Sequence, residues 1–440
     1  MGPNGSAPDL VVAGGRVLRP DMTVERADVL VDRGRGRIRE VAPDLAAEAS
    51  GADRLDATGG LVIPGLVNAH GHVAMTLLRG YADDKPLDAW LREDIWPVEA
   101  ALDPADVRAG AELGLVEMIR AGTTAFADMY FEVDETAAAV EAAGLRAVLG
   151  YGAVTVGEDD EAAREEVERS AAVARELDGA ADGRIAAAVM PHSLTTVDRD
   201  LLELAADLAR AAGVPLHYHA NETAAEVAPY AEEGTRPLRW AADHGLLEAG
   251  DFLAHCVHLD EAEIDLLARS GAAAVHCPAS NMKLASGAAP VPALREAGAT
   301  VALGTDGPAS NNDLDPFDEA RDAALLAKHA AGDAAALPAE AVVRMATAEG
   351  ADALGLDAGR IEPGAAADLA VVDLEAPHLA PPHDLVSHLA YAARGSDVRH
   401  TVCDGRVLMR DREVLTLDAA AARDRAAERA RDLLERAGVP

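Results

Sequence analysis

Between residues 66 and 307 the hydrophobic positions follow one repeated cadence: a short apolar, β-branched run, an Ala/Leu-rich stretch at helical spacing, then a turn. The runs predicted as strands are GLVNAH (65–70), TTAFADM (123–129), RAVLGYGAV (146–154), RIAAAVMPH (184–192), VPLHYHA (214–220), DFLAHCV (251–257), AAAVHCP (272–278) and TVALGTD (300–306). Among the stretches between them, DRDLLELAADLARAAG (198–213) opens on Asp198 as an N-cap and closes on Gly213. Eight strands alternating with helices predict an α/β chain closed as a (β/α)8 barrel of the TIM type, and the span has the length such a barrel needs. An open, doubly wound sheet shares this rhythm, but no glycine-rich phosphate turn follows any of the runs.

The two ends break the cadence. AGGRVLRPD (13–21) and CDGRVLMRD (403–411) echo each other, and both read as hairpin arms with turn residues beside Val/Leu pairs. Residues 1–63 and 360–415 are therefore expected to form one small β-sandwich interrupted by the barrel at 64–359. Residues 416–440 hold DAAAARDRAAERARDLLERAG (418–438), which reads as a charged amphipathic helix capping the fold.

Composition narrows the partners. The formal charge of −37 opposes binding to phosphate backbones and anionic lipid, so neither nucleic acid nor a membrane is expected. A small-molecule substrate and a homo-oligomeric assembly are expected instead. No run is long and apolar enough to span a bilayer, and MGPNGSAPDL lacks an apolar signal core, which predicts a cytoplasmic protein. Cys256, Cys277 and Cys403 are scattered, as suits a reducing compartment, and form no CxxC zinc knuckle. Acidic runs such as GEDDEAAREEVER (157–169) read as solvated helix faces. Of the 39 basic residues three are lysine (Lys85, Lys283, Lys328) and 36 arginine, a balance that fits either GC-rich coding or adaptation to high salt.

The candidate chemistry lies in the histidines. Of 14, eight fall at or just past predicted strand ends: His70, His72, His192, His217, His219, His255, His258 and His276. That rim is where a barrel builds its active site. In PGLVNAHGH (64–72), His70 and His72 stand two positions apart and point the same way if extended, offering two nitrogens to a divalent metal. LHYHANE (216–222) adds His219 and carries Glu222 past the strand end, AHCVH (254–258) supplies His255, and LGTDG (303–307) supplies Asp306. Histidines and a carboxylate from separate strands, with room left for water, form the pattern of a catalytic site. No lysine lies in RIAAAVMPH to bridge a second ion, so one metal is expected.

Taken together, PGLVNAHGHVAMTLLRGYADD, HANE, AHCVHL, HCPASNMKL and LGTDGPASNN resemble the amidohydrolase superfamily, and within it the 5-methylthioadenosine/S-adenosylhomocysteine deaminase group, which is close to the triazine chlorohydrolases. The resemblance covers nearly the whole chain. It implies that His70, His72, His219 and Asp306 hold one zinc, with iron or manganese as substitutes. It also implies that His255 orients the attacking water and that Glu222 shuttles a proton to the purine ring. A bound cation brings the pKa of water from about 15.7 to roughly 7; hydroxide attack at adenine C6 would then expel ammonia. Either Asp306 or His255 would take the first proton. Glu99, in IWPVE, would accept from the ribose hydroxyls, His192 would face the nucleoside, and Trp96 would wall the pocket.

One departure from the group concerns the 5′ end. Its arginine after the third strand is replaced here by Tyr151, with Arg164 the nearest candidate for a second cation. A charge-assisted pair to a carboxylate contributes roughly 1.5–3 kcal/mol, so the resemblance implies a preference for neutral 5′ groups: methylthioadenosine, 5′-deoxyadenosine or adenosine. Rival readings keep the metal site but change the ring, to guanine, cytosine, a pterin or a chlorotriazine. The reading from another class is a scaffold barrel without catalysis.

Overall fold

The computed structural model describes residues 9–49 and 51–439. The leading MGPNGSAP, read above for a signal core, lies outside them.

All eight predicted runs form parallel strands: Leu66–Asn68 (β1), Thr123–Tyr130 (β2), Arg146–Ala153 (β3), Ile185–Ala187 with its continuation Met190–Pro191 (β4), His217–Ala220 (β5), Phe252–His255 (β6), Ala273–His276 (β7) and Thr300–Leu303 (β8). They make two sheets, ordered β4-β3-β2-β1 and β5-β6-β7-β8. The sheets meet at both edges. Gly71 bridges Asp306 beyond β1 and β8, and Val189 and Ser193 bridge Leu216 and His219 between β4 and β5.

The strands read as unbroken apolar runs because both faces are covered. One set of alternate residues, including Val67, Ala125, Val148, Ala188, Val275 and Ala302, joins a single interior cluster. The other set, including Phe126, Leu149, Leu216, Leu253 and Val301, packs in the outer cluster with the helices. Small alanines predominate inside, where strands converge from all sides. The helix predicted at 198–213 spans Arg199–Ala212 and ends at Gly213 in the left-handed conformation. Asp198 precedes it without capping, since its carboxylate accepts from Thr155 Oγ1 instead.

The terminal segments form a four-stranded and a seven-stranded sheet. The ends are joined where Leu369–Asp373 pairs antiparallel with Gly60–Pro64. Buried residues of both sheets, such as Leu10, Val29 and Leu55 with Val62, Leu369 and Val402, form one cluster. The echoed motifs behave differently from each other. CDGR turns a tight hairpin in which Cys403 faces Arg406. In AGGR the chain instead leaves the four-stranded sheet after Ala13 and enters the seven-stranded one at Arg16, where it pairs with Val24–Arg26. Gly14 makes that crossing possible: its φ is +86°, and a Cβ there would lie 2.6 Å from Thr58 Oγ1.

The final helix, Ala419–Arg436, docks on Pro104–Ala121 rather than standing free in solvent. Arg429 donates to Asp106 at 2.7 Å, and Leu433 is fully buried. Cys256, Cys277 and Cys403 are buried and unpaired. Among the described residues no helix is long and apolar enough to cross a membrane.

Candidate metal centre and substrate cavity

The carboxyl ends of the parallel strands bring the candidate ligands together. His70 and His72 follow β1, His219 lies in β5, His255 ends β6 and Asp306 follows β8. His70, His219, His255 and Asp306 each offer one ligand atom, and these atoms lie within 4.8 Å of one another. His72 borders the same group: its Nε2 is 3.2 Å from Asp306 Oδ1, and His70 Nε2 is 3.4 Å from that oxygen. His255 thus lies as close to this group as His70, His219 and Asp306 lie to one another.

Hydrogen bonds behind these residues fix which atom each one presents. His72 Nδ1 is 2.6 Å from the Met129 carbonyl, and His219 Nδ1 is 2.6 Å from the His192 carbonyl. A carbonyl only accepts, so both rings hold a proton on Nδ1 and leave Nε2 for the centre. His255 Nδ1 meets Asn281 Oδ1 at 2.9 Å, and His70 Nδ1 meets His217 Nε2 at 2.8 Å. Asp306 is divided in the same way. Its Oδ2 accepts from Ser280 Oγ at 2.6 Å and Ser310 Oγ at 2.8 Å, which turns Oδ1 to the histidines.

The backbone is bent to the same end. Asn221, His255, Cys256 and Asp306 all have positive φ, between 50° and 72°, at or just beyond strand ends. Such conformations cost of the order of 1–3 kcal/mol each and persist where surrounding contacts enforce them.

This donor set fits a divalent cation. His70 Nε2 is buried with no hydrogen-bond partner, and imidazoles with one carboxylate are the ligands zinc and its first-row neighbours accept. Burial pushes the His70 imidazole down to about 4 and His219 well below the usual range, which favours the neutral, ligating form. Burial would lower His72 too, but Asp306 outweighs it and holds His72 at about 9, so a metal there competes with a proton. Burial alone would raise Asp306, yet the neighbouring His70 and His72 imidazoles keep it well below the carboxylate range.

Glu222 lies in the loop after β5, 5% exposed, with Oε2 3.7 Å from His255 Nε2 and Oε1 accepting from Ser286 Oγ at 3.3 Å. Burial, reinforced by the charge of Asp306, pushes its carboxyl up to about 8. Above this floor opens a cavity of about 610 Å³. Glu99, Trp96 and His192 line it, as does His258. Glu99 accepts from Tyr130 Oη at 2.8 Å, and its burial pushes it up to about 7. His192 Nδ1 is bonded to Thr196 Oγ1 at 2.8 Å.

Two expected contacts fall elsewhere. Tyr151 is not among the lining residues: its hydroxyl donates to Glu166 at 2.7 Å and its ring lies under the Arg169 guanidinium, on the helix side of β3. Arg164 is exposed and pairs with Glu168 at 2.8 Å along its own helix. The cavity has another cation, Arg92, the one Lys or Arg among its described lining residues. Its guanidinium donates to Asp88 at 2.7 Å and lies 5.5 Å from the Trp96 ring centre. His276 is buried at the end of β7 with Nδ1 unpaired, and His217 sits one layer beneath His70.

Sequence reasoning left several positions unassigned. Ser280 and Asn281 fall within HCPASNMKL and Ser310 within LGTDGPASNN, so polar residues just after β7 and β8 were the available signal. Nothing marked Tyr130 or Arg92.

Comparison with known proteins agrees with this geometry. A family model described as the amidohydrolase family matches residues 61–408. A 5-methylthioadenosine/S-adenosylhomocysteine deaminase of Haloarcula marismortui is 64% identical, over 98% of this chain and 99% of its own. A 5′-deoxyadenosine deaminase of Methanococcoides burtonii is 43% identical, over 97% and 98%. Among solved structures, an adenosine deaminase from Xanthomonas campestris with bound zinc superposes with a TM-score of 0.89 at 39% identity, covering 98% of this chain and 99% of that one.

Proposed function

The chain belongs to the amidohydrolase family, and from that premise we propose that it is a metal-dependent hydrolase that deaminates adenine nucleosides at C6. One observation carries this reading: imidazoles and a single carboxylate converge beside a buried, non-converging glutamate at the floor of a nucleoside-sized cavity. The parallel strands, bridged at both edges, act as a (β/α)8 barrel over 64–359. The terminal sheets form a β-sandwich from the described residues of the 1–63 and 360–415 segments.

His70, His72, His219 and Asp306, with His255 adjoining, hold one divalent ion, zinc by preference and iron or manganese as substitutes. When bound, the ion acidifies water so that a nucleophile is available near neutral pH. The residues of the chain do the rest. Glu222 is protonated at neutral pH and donates to ring N1, which lets the purine accept electrons as C6 becomes tetrahedral. His255 and Asp306 flank that position and receive the proton released there. Glu99 accepts from the ribose hydroxyls, and His192 borders the nucleoside.

At the 5′ end the apolar wall of Leu87, Leu91, Val156 and Pro229 accommodates a methylthio or deoxy group, and Arg92 adds a cation for a carboxylate. Arg92 therefore supports acceptance of S-adenosylhomocysteine alongside the neutral substrates. The test is ammonia release from methylthioadenosine, 5′-deoxyadenosine, adenosine, S-adenosylhomocysteine, guanine and cytosine, and chloride release from a chlorotriazine, with metal analysis of the purified protein. Turnover confined to the adenine nucleosides, with one metal per chain, is expected. Faster release from guanine, cytosine or the triazine overturns the substrate class, and absence of all turnover favours a scaffold.

A further inference from the structure

Inside the parallel strands an apolar cluster fills the space, and His217 intrudes on it. His217 stands in register with Phe252 and, one strand further, Ala273, both members of the interior apolar cluster. It is fully buried, and its ring stacks on Phe252 with centroids 4.1 Å apart and planes 16° apart. An imidazole in such a place is costly unless both nitrogens are paired.

Both are, and the pairing has a direction. Nδ1 lies 2.7 Å from the Phe252 carbonyl, which only accepts, so the proton of His217 is on Nδ1. Nε2 lies 2.8 Å from His70 Nδ1. A second proton on Nε2 would make a fully buried cation with no carboxylate bonded to it. Nε2 therefore carries a lone pair, and His70 Nδ1 is the donor. The remaining nitrogen of His70, Nε2, is left bare and faces the ligand group without a hydrogen-bond partner.

We propose that His217 is a positioning residue for the metal centre: an acceptor beneath His70 that locks its tautomer and orients Nε2 into the ligand group. The other rings differ in what holds them. Backbone carbonyls anchor His72 and His219, and no substitution removes those, whereas His70 and His255 each depend on one side chain, His217 and Asn281. Partners behind metal-bound imidazoles typically change metal affinity by roughly 10- to 100-fold when removed.

The proposal rests on the metal-dependent reading above, and zinc affinity separates the two. Zinc dissociation constants are measured by competition with a chromophoric chelator for the full chain, His217→Phe, His217→Leu and His217→Gln, alongside far-UV circular dichroism. Phe and Leu remove the acceptor while keeping apolar bulk, and either gives the reading should the other fail to fold. Both are expected to bind zinc roughly 10- to 100-fold more weakly, with Gln, whose amide oxygen accepts, within a few-fold of the native chain. A folded Phe or Leu variant with native affinity overturns the inference, as does a Gln variant as weak as they are. A native chain that binds no zinc removes the metal-dependent reading and this inference with it.

Discussion

At the floor of the cavity, His70, His255 and Asp306 are at most 6% exposed, and each is held from behind by a hydrogen bond of 2.9 Å or less. At its mouth, Arg92 is 57% exposed and tied to Asp88 alone along one helical turn. The floor is built from strand ends, where parallel pairing fixes every backbone position. The mouth is built from a short segment that passes from α-helix (Leu87–Trp90) through a π turn (Leu91–Ile95) back to α-helix (Trp96–Glu99). An exposed pair such as Arg92–Asp88 contributes only about 0–1 kcal/mol, so a substrate carboxylate competes for Arg92 easily. On the proposed function, chemistry that tolerates no displacement would sit on the rigid part, and discrimination among 5′ groups on the part that can yield.

The sharpest break of this division is at Glu222. Glu222→Gln keeps size and burial but removes the transferable proton, so kcat is expected to fall by roughly 10²- to 10⁴-fold. Metal content should stay at the native level, as measured on the purified variant. Loss of metal together with activity would place Glu222 in the ligand set rather than beside it.

Glu99 marks the boundary between the two regions. Its carboxylate is anchored by Tyr130 yet lines the cavity. A hydrogen bond to a charged group contributes about 1.5–3 kcal/mol, so Glu99→Ala should lower kcat/KM for ribonucleosides by roughly 10- to 100-fold, chiefly through KM. A 2′,3′-dideoxy substrate, lacking the hydroxyls, should lose little. Equal losses on both would make Glu99 a support for Tyr130, not a reader of ribose.

Arg92→Ala probes the mouth itself. Because the side chain is exposed, its contribution to a substrate carboxylate is about 1 kcal/mol, and the preference for S-adenosylhomocysteine over methylthioadenosine should drop roughly fivefold. An unchanged ratio would mean that the carboxylate is bound elsewhere or left in water.

The same division explains what was legible in the chain. The strands were readable because burial on both faces leaves unbroken apolar runs, and the ligands because histidines interrupt those runs at their ends. His70, His72, His219, His255 and Asp306 needed only the assumption that strand ends converge. The mouth gave no such signal. Tyr151 sits on the outward face of its strand, and one step of alternation decides between cavity and helix layer. Trp96 was placed, but Arg92 four residues earlier reads as an ordinary member of a charged helix pair with Asp88. Which of two helical arginines, Arg92 or Arg164, reaches a cavity depends on the loop that carries it, and loop paths are not written in periodicity. The Gly14 crossing was hidden for a similar reason, since the same glycine turn that closes a hairpin can pass a chain between sheets.

Acidity supplies the mildest test, and it acts in two opposite directions at one residue. Burial raises Glu99 from an ordinary 4.5 to about 7, against the opposing bond from Tyr130. Below that value a proton occupies one oxygen that would otherwise accept from a ribose hydroxyl. KM for ribonucleosides should therefore rise about two- to fivefold between pH 8 and pH 6, since a neutral acceptor bond is weaker than a charged one. The rise should vanish in Glu99→Gln. Stability runs the other way. A folded-state pKa above the unfolded one contributes stability that is complete below 4.5 and is lost as pH climbs through about 7. The melting temperature of the native chain relative to Glu99→Gln should thus decline from pH 6 to pH 8, the interval in which substrate affinity improves. A melting temperature that instead climbs from pH 6 to pH 8 while KM falls would show that another group governs both and that Glu99 belongs with the rigid floor.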